Sequence, residues 1–304
     1  MLSGKSVAAD PEFYCPQCQA LLLQRPDEYR CGECGSAFPV RDGVAYFAYE
    51  AIGGASDYSY SDYQVEIDKI RNGESGHFWF RCRRDFIGRI FRRHISASGN
   101  VLEIGAGTGF VAEALIRSGY KMSIGEIHDR GIRYIRERLP ECQVYQFDLR
   151  YPPFREQFDT VCLFDVLEHI EDDESCVKGL GLVLKTDGRV VLTVPAYSFL
   201  WCQEDVVSRH YRRYSAGSLS RLMAKCGFKV VYSSYFFTAI LPLLFLRIFQ
   251  RHASADICAP NPIINTILEY MSRIENIVFS WFPSFTGGSL ILVAEKQKFS
   301  QRRS

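Results

Sequence analysis

Residues 101–109 of this 304-residue chain read VLEIGAGTG, and this stretch decides the fold. Its apolar start predicts a short buried strand, and its three alternating glycines predict a tight turn that leads into a helix. Such a turn lets the backbone approach a nucleotide-like ligand closely. The spacing Gly-x-Gly-x-Gly differs from the dinucleotide-binding fingerprint, so the surrounding residues must decide which ligand the turn serves.

Three further strand-like segments follow this turn, and each carries an acid at or near its end. They read KMSIGE (121–126), QVYQFDL (143–149) and FDTVCLFDVLEH (158–169). Glu126 is placed to bind ribose hydroxyls at the carboxyl end of a parallel strand. A nicotinamide-dependent enzyme needs the acid at Glu126, but it has no obvious need for the motifs at 143–149 and 158–169.

The four segments together resemble the class I S-adenosylmethionine-dependent methyltransferases (type 11/23), over residues 100–193. An ordinary buried strand and tight turn would explain one motif, but not four in this order. The resemblance implies an α/β, Rossmann-like sheet of seven mostly parallel strands, with helices on both faces and an antiparallel last strand. It also implies S-adenosylmethionine as the cofactor.

The resemblance assigns cofactor contacts to residues at the strand ends. Glu103 matches the acid that holds the glycine turn near the cofactor's amino group, and Glu126 matches the ribose-binding acid. Asp148 matches the acid that binds the adenine amino group. Each acid could instead cap the following helix. The complete set taken from the family pattern is Glu103, Gly105, Gly107, Gly109, Glu126, Asp148, Leu149, Phe164 and Asp165.

The acceptor end is predicted from the reaction. A sulfonium methyl is already electrophilic, so the protein mainly supplies alignment, and a base where the acceptor carries a proton. His169 in the LEH motif is one candidate base, although it could only shape the pocket. The segment FDVL (164–167) lacks the Pro-Pro run of exocyclic-amine methylation, and neither Cys162 nor Cys202 has a Pro-Cys setting. Oxygen or carbon acceptors are therefore favoured.

Two cysteine pairs predict a zinc site. Cys15 and Cys18 form one Cys-x-x-Cys knuckle, and Cys31 and Cys34 form the second. Four thiolates from two tight turns give the tetrahedral shell of structural zinc, which would supply folding energy to this short segment. Free cysteines paired by chance, or a redox motif, are the alternatives. We expect a zinc ribbon (1–48), a linker (49–76) and a methyltransferase domain (77–298), with the zinc structural or used for docking.

Composition and charge limit the compartment and partners. The chain is 47% hydrophobic and 23% charged, with a net charge of +1, which weakens the prediction of a nucleic-acid partner. Local clusters of arginine residues leave a nucleic-acid partner as an alternative. Residues 1–11 lack an apolar signal segment, so we expect a cytoplasmic protein with reduced cysteines.

The segment HFWFRCRR (77–84) resembles the helix that covers the cofactor cleft in a subgroup of these enzymes. An arginine there could pair with the methionine carboxylate, so His77 and Arg81 are predicted to lie near the cofactor. The three aromatic residues could equally pack against the sheet.

The second half of the chain holds the predicted acceptor site. In SRHYRRYS (208–215), His210 could orient the acceptor, although a solvated basic loop would explain the segment as well. A largely apolar helical insertion (about 236–284) precedes the last strand and could cover the core, form a dimer surface, or make an apolar pocket that touches a membrane.

We therefore expect a methyltransferase that acts on an oxygen or carbon of an apolar small molecule or lipid-linked acceptor. One alternative is an RNA methyltransferase that docks through the zinc ribbon, because some ribosomal-RNA enzymes join such a module to this fold. A second is a non-catalytic cofactor-binding protein that scaffolds or activates another enzyme. As partners we also expect either a homodimer or a protein bound through the zinc ribbon.

Overall fold

The computed structural model describes residues 12–47, 60–249 and 261–297. The first part of the predicted ribbon, part of the predicted linker and the middle of the predicted insertion lie outside the described residues. The strands are β1 (Leu22–Gln24), β2 (Glu28–Cys31), β3 (Ala37–Arg41), β4 (Val44–Tyr46), β5 (Asn100–Ile104), β6 (Lys121–Gly125), β7 (Gln143–Gln146), β8 (Phe158–Phe164), β9 (Leu184–Pro195), β10 (Phe228–Phe236) and β11 (Ser289–Lys296). The helices are α1 (Tyr60–Gly73), α2 (Phe78–His94), α3 (Phe110–Arg117), α4 (Asp129–Arg138), α5 (Asp173–Val183), α6 (Gln203–Val207), α7 (Ala216–Lys225), α8 (Leu241–Arg247) and α9 (Pro262–Trp281).

The central sheet has the strand order β7-β6-β5-β8-β9-β11-β10. The first five of these strands are parallel, and β11 runs antiparallel between β9 and β10. The inner strands β5 and β8 are largely apolar, and all but one residue of each is buried, which suits a parallel sheet covered by helices. The predicted seven-stranded architecture with an antiparallel last strand is confirmed.

The cysteine-containing segment extends this sheet. Strands β1 to β4 form antiparallel pairs, and β4 then pairs in parallel with β7, with Ala45 opposite Tyr145. The ring of Phe13 lies 4.8 Å from that of Phe47 and 5.7 Å from that of Phe154, measured between centroids. The ribbon therefore shares a hydrophobic core with the large sheet.

A helix occupies much of the segment that the sequence indicated as a linker. Helix α1 is fastened to α4, because the Asp68 carboxylate accepts hydrogen bonds from Arg130 (2.7 and 2.8 Å) and from the Tyr134 hydroxyl (2.7 Å). At the same helix, Ser208 donates to Glu66 at 3.0 Å. Residues 60–73 are thus part of the packed structure.

Helix α9 has its polar side facing inward. Its buried residues are Asn265, Ser272, Glu275, Asn276 and Ser280. Two of them bind the backbone of α2: Asn265 accepts from the Phe78 N–H (3.0 Å), and Asn276 donates to the Cys82 carbonyl (2.7 Å). The outward side is apolar, and Ile263, Tyr270 and Trp281 are 65–72% exposed. Among the described residues, we find no helix with the length and apolar content needed to cross a membrane.

Candidate functional site

The glycine turn between β5 and α3 has the geometry that only glycine adopts easily. Gly105, Gly107 and Gly109 have φ of +70°, +56° and +73°. A Cβ at position 105 would lie 2.6 Å from Cγ2 of Val166, whereas a Cβ at position 107 would meet nothing within 4 Å. The turn is therefore packed on one side and open at Gly107, where a ligand can approach the backbone.

Glu126 holds this turn in place. Its carboxylate accepts the N–H groups of Gly107 (3.0 Å), Ile127 (2.8 Å) and His128 (3.0 Å). Burial raises the pKa of Glu126 to about 7, although these backbone donors oppose the shift. Glu126 can bind the turn because β6 ends directly beside it. The role expected of Glu103, holding the turn near the cofactor's amino group, stays a prediction.

Glu103 is left with unsatisfied hydrogen-bonding capacity. It is 2% exposed, and its Oε2 atom has no hydrogen-bond partner. Burial raises the pKa of Glu103 to about 8, with Arg83 opposing the shift and Glu126 adding to it. A buried carboxylate of this kind suits a cationic group of a ligand, which would restore a partner and favour the ionised form.

Arg83, rather than Arg81, reaches the carboxyl end of β8. Its Nη2 donates to the Phe164 carbonyl (2.8 Å), and its Nε lies 2.5 Å from Oδ2 of Asp165. The Arg81 guanidinium instead pairs with Glu269 of α9. Residues two apart face different sides of a helix, so α2 directs one arginine to the sheet and the other to α9.

His77 caps the start of α2 and is placed between α2 and the helical insertion. Its Nδ1 accepts the Trp79 N–H at 3.1 Å. Burial, with Arg247 and Arg81 nearby, lowers the pKa of His77 to about 4. A neutral capping ring explains these contacts, and a cofactor contact for His77 stays a prediction.

Asp148 lies after β7 and is bound by a neighbour in sequence. Arg150 donates to its carboxylate from the backbone N–H (2.8 Å) and from Nη2 (2.7 Å). Leu149 is buried. Asp148 and Leu149 thus lie just after the predicted strand, and Arg150 holds the Asp148 carboxylate in place.

Two histidines meet at the predicted acceptor end. The rings of His169 and His210 lie edge to face, 4.6 Å apart between centroids. Nδ1 of His210 lies 2.7 Å from Oδ1 of Asp205, which also accepts from Arg213 at 2.8 Å. Although burial opposes it, these two partners lower the pKa of Asp205 to about 2. Burial, followed by the neighbouring His210, lowers the pKa of His169 to about 3.

Sequence reasoning missed Glu168, which joins the histidine pair. It is 1% exposed, its Oε2 has no hydrogen-bond partner, and burial raises its pKa well above the usual range, as do Asp165 and Asp205 nearby. The LEH motif was the available signal, since it places this acid directly before His169. No comparable signal in the sequence pointed to Asp205, because this residue meets His210 only when the short helix α6 folds.

A second missed group fastens α1 to the glycine turn. Glu74 is buried just after α1, accepts the Thr108 hydroxyl and pairs with Arg138. This acid falls in the segment expected to be a linker, so nothing in the local pattern indicated its role. Glu74, Thr108 and Arg138 thus form a polar network on one side of the glycine turn.

The four predicted zinc ligands come together. Sγ of Cys15 lies 3.6 Å from Sγ of Cys34, and Sγ of Cys18 lies 3.4 Å from Sγ of Cys31. Tetrahedral zinc with bonds of about 2.3 Å would separate its sulfurs by about 3.8 Å. All four sulfurs lie within 4.8 Å of one another, so the arrangement fits such an ion.

Comparison with known proteins gives a consistent result. Residues 76–233 match the family model described as a methyltransferase domain. A "Probable S-adenosylmethionine-dependent methyltransferase" of Mycobacterium tuberculosis is 25% identical over 154 residues, which cover 50% of this chain and 56% of that protein. A mitochondrial ubiquinone biosynthesis O-methyltransferase of Schizosaccharomyces pombe is 26% identical over 132 residues, covering 41% and 48%. The matched region spans about half the length of these relatives.

Solved structures share the fold. A structure described as a complex of the Haloferax volcanii Trm112 methyltransferase activator with a methyltransferase aligns with a TM-score of 0.55 and 14% identity, covering 79% of this chain and 98% of that one. A Thermotoga maritima S-adenosylmethionine-dependent methyltransferase aligns with a TM-score of 0.53 and 18% identity, covering 79% and 100%.

Proposed function

The chain belongs to the methyltransferase-domain family, and from this premise we propose that it is an S-adenosylmethionine-dependent enzyme that methylates an oxygen of an apolar small molecule or lipid-linked acceptor. The observation that carries the proposal is the apolar surface of α8 and α9 at the edge of the sheet that holds the candidate site.

The topology supports this placement. Strand β10 is parallel to β9, so the insertion leaves β10 at the carboxyl edge of the sheet, where the glycine turn lies. It returns at Ser289, which pairs with Pro195 at the carboxyl end of β9. Exposed apolar residues of α8 include Leu243, Phe245 and Leu246. An apolar acceptor that approached this edge would find apolar surface beside the methyl donor.

The cofactor site has groups suited to the two ends of S-adenosylmethionine. We assign the amino group to Glu103, whose buried carboxylate lacks a partner at Oε2, and the ribose to Glu126 beside the open Gly107. The adenine end is assigned to Asp148 and Leu149. When bound, the cofactor supplies an electrophilic methyl group on a sulfonium, and these residues fix its orientation.

The transfer needs an acceptor that loses a proton. With the cofactor bound, an O–C bond would form as the C–S bond broke, the sulfur would keep the electron pair, and the hydroxyl proton would leave the oxygen. We assign the acceptor end to His169 and His210, with Asp205 orienting His210 through the 2.7 Å contact at Nδ1. Relatives described as ubiquinone biosynthesis O-methyltransferases support an oxygen acceptor attached to an apolar molecule.

We further propose structural zinc at Cys15, Cys18, Cys31 and Cys34. Because β4 pairs with β7, the ion would stabilise a segment that is continuous with the catalytic sheet. A peripheral membrane contact through the outward face of α9 is part of the same proposal, since a lipid-linked acceptor is held at a membrane surface.

The test uses purified protein, methyl-labelled S-adenosylmethionine and a cell extract separated into organic-soluble, RNA and protein fractions. We expect label in the organic-soluble fraction, lost when Glu103→Gln removes the proposed amino-group contact and kept by the exposed Glu141→Gln. Label in RNA that nuclease releases would replace this proposal with the RNA alternative. Cofactor binding without label in any fraction would favour the non-catalytic alternative.

A further inference from the structure

Three potential metal-binding side chains converge next to the proposed acceptor site. One donor atom from each of Glu168, His169 and His210 lies within 4.8 Å of the others. Zinc or manganese bonds of about 2.1 Å place neighbouring donors about 3 to 3.5 Å apart, so small side-chain rotations would close this arrangement around an ion. One carboxylate and two imidazoles form a donor set that suits zinc, iron, manganese or cobalt.

The buried acid of this trio lacks a partner for one of its oxygens. Glu168 is 1% exposed, and its Oε2 accepts no hydrogen bond. A buried carboxylate normally has its oxygens hydrogen-bonded or bound to a cation, because a buried polar atom without a partner destabilises the fold. A cation held with His169 and His210 would supply the absent interaction.

The charged side chains around Glu168, His169 and His210 are also compatible with a bound cation. Asp165, Glu168 and Asp205 interact electrostatically in this region. Arg83 pairs with Asp165, and Arg213 pairs with Asp205. Both guanidiniums are thus paired with the other two carboxylates, and neither forms an ion pair with Glu168.

The histidines are oriented as metal ligands usually are. Asp205 contacts Nδ1 of His210, which leaves Nε2 as the nitrogen directed to an ion. The backbone of Ser208 makes a hydrogen bond to His169. A carboxylate or a backbone carbonyl commonly fixes the ring of a metal-binding histidine in this way.

We propose that Glu168, His169 and His210 bind one divalent transition-metal ion, which receives the acceptor oxygen. As a Lewis acid, such an ion lowers the pKa of a bound hydroxyl, whose proton then passes to water before the oxygen attacks the methyl carbon. The role of the ion in catalysis rests on the proposed function, whereas its binding does not.

The experiment measures Mn²⁺ binding by electron paramagnetic resonance in full-length protein whose cysteine site is already loaded with zinc. Oxygen and nitrogen ligands bind Mn²⁺ far better than a four-thiolate site does, so the ribbon does not compete. We expect one Mn²⁺ per chain in the wild type and loss of binding in Glu168→Gln and His210→Gln. Asp205→Asn is expected to weaken binding about 10- to 100-fold. The exposed Glu171→Gln, three residues from Glu168, is the matched control.

A second measurement does not depend on the folding of any variant. Pulsed electron paramagnetic resonance of the wild type with Mn²⁺ is expected to show nitrogen couplings from two imidazoles. No bound ion at millimolar Mn²⁺, Co²⁺ or Zn²⁺ beyond the ribbon zinc, or bound Mn²⁺ without these couplings, would overturn the proposal. Both measurements omit the acceptor, so a wrong acceptor class leaves them unaffected. Methylation that survives a chelator would overturn the catalytic role alone.

Discussion

Arg83 in α2 and Asp165 after β8 form a close ion pair, with 2.5 Å between Nε and Oδ2. Asp165 has a φ of +56°, which is uncommon for a residue with a side chain, and Thr193 donates to its other oxygen at 3.1 Å. The guanidinium also lies over the Trp79 ring, 5.1 Å from its centroid. Helix α2 is thereby joined to the segment after β8, which holds two of the predicted cofactor contacts, Phe164 and Asp165.

Replacing Arg83 with methionine is expected to destabilise the protein and weaken cofactor binding. The change leaves the Asp165 carboxylate largely buried and without its main cation, which costs about 3–5 kcal/mol in typical proteins. Chemical denaturation and cofactor calorimetry measure both effects. The control is Arg84→Met, which removes a pair with the partly exposed Asp85 and is expected to cost less than about 1 kcal/mol. Equal losses in the two variants would contradict this prediction.

Thr108→Val is expected to loosen α1 from the glycine turn. The variant keeps the side-chain shape but removes the hydroxyl that donates to the buried Glu74. A hydrogen bond to a charged group contributes about 1.5–3 kcal/mol, so we expect the free energy of unfolding to fall by about this amount, with weaker cofactor binding as the turn loosens. Hydrogen exchange of α1 should accelerate as well. Thr266→Val on the exposed side of α9 is the control, and unchanged exchange in α1 would count against the proposed fastening.

The stability of the cofactor-free protein is expected to fall as the pH rises, because of Glu103. Burial raises the pKa of this carboxyl from 4.5 to about 8, so the fold favours its protonated form. The stabilisation is fully present below pH 4.5 and is lost as the pH rises through about 8. Glu103→Gln should therefore show a shallower decline in Tm over this window. Glu126, with a pKa near 7, acts in the same direction and remains in the variant. Parallel curves for wild type and variant would refute the assignment.

Cys31→Ser is expected to remove zinc from the purified protein and to lower its Tm. Cys31 is buried and lies 3.4 Å from Cys18 between sulfur atoms, so a hydroxyl there replaces one of four thiolates. Elemental analysis gives the metal content, and calorimetry gives the stability. Cys226→Ser changes a cysteine outside the ribbon and should retain the full zinc content. A Cys31→Ser protein with undiminished zinc would show that the four thiolates do not hold the ion.

Much of the fold was predictable because local patterns and topology agree. The strand at 101–104, the glycine turn and the following acids carry a family resemblance that implied seven mostly parallel strands and an antiparallel last strand, and the structure has this arrangement. The direction of Arg83 toward the sheet could also have been predicted from sequence, whereas a cofactor contact for Arg81 stays a prediction. Arg83, Ile87 and Ile90 share one helical face, and that face is buried.

Other features depend on contacts that no local pattern reveals. Glu74 is an acid in a polar segment until α1 brings it to Thr108. Asp205 becomes significant only when the loop after β9 folds onto His210. A helix on a protein surface usually buries its apolar side. Helix α9 exposes that side, and the side-chain amides of Asn265 and Asn276 face inward and bind the backbone of α2. Such pairings require the tertiary structure.

The pairing of β4 with β7 also protects the catalytic sheet from self-association. Without the ribbon, β7 would be an edge strand with unpaired backbone groups, and such edges recruit strands of other molecules. The Phe47 N–H donates to the Gln146 carbonyl at 2.7 Å and covers this edge. Loss of this strand pairing would therefore expose the backbone of β7 to other molecules, which is a role for the ribbon that needs neither a docking partner nor the methyl-transfer chemistry.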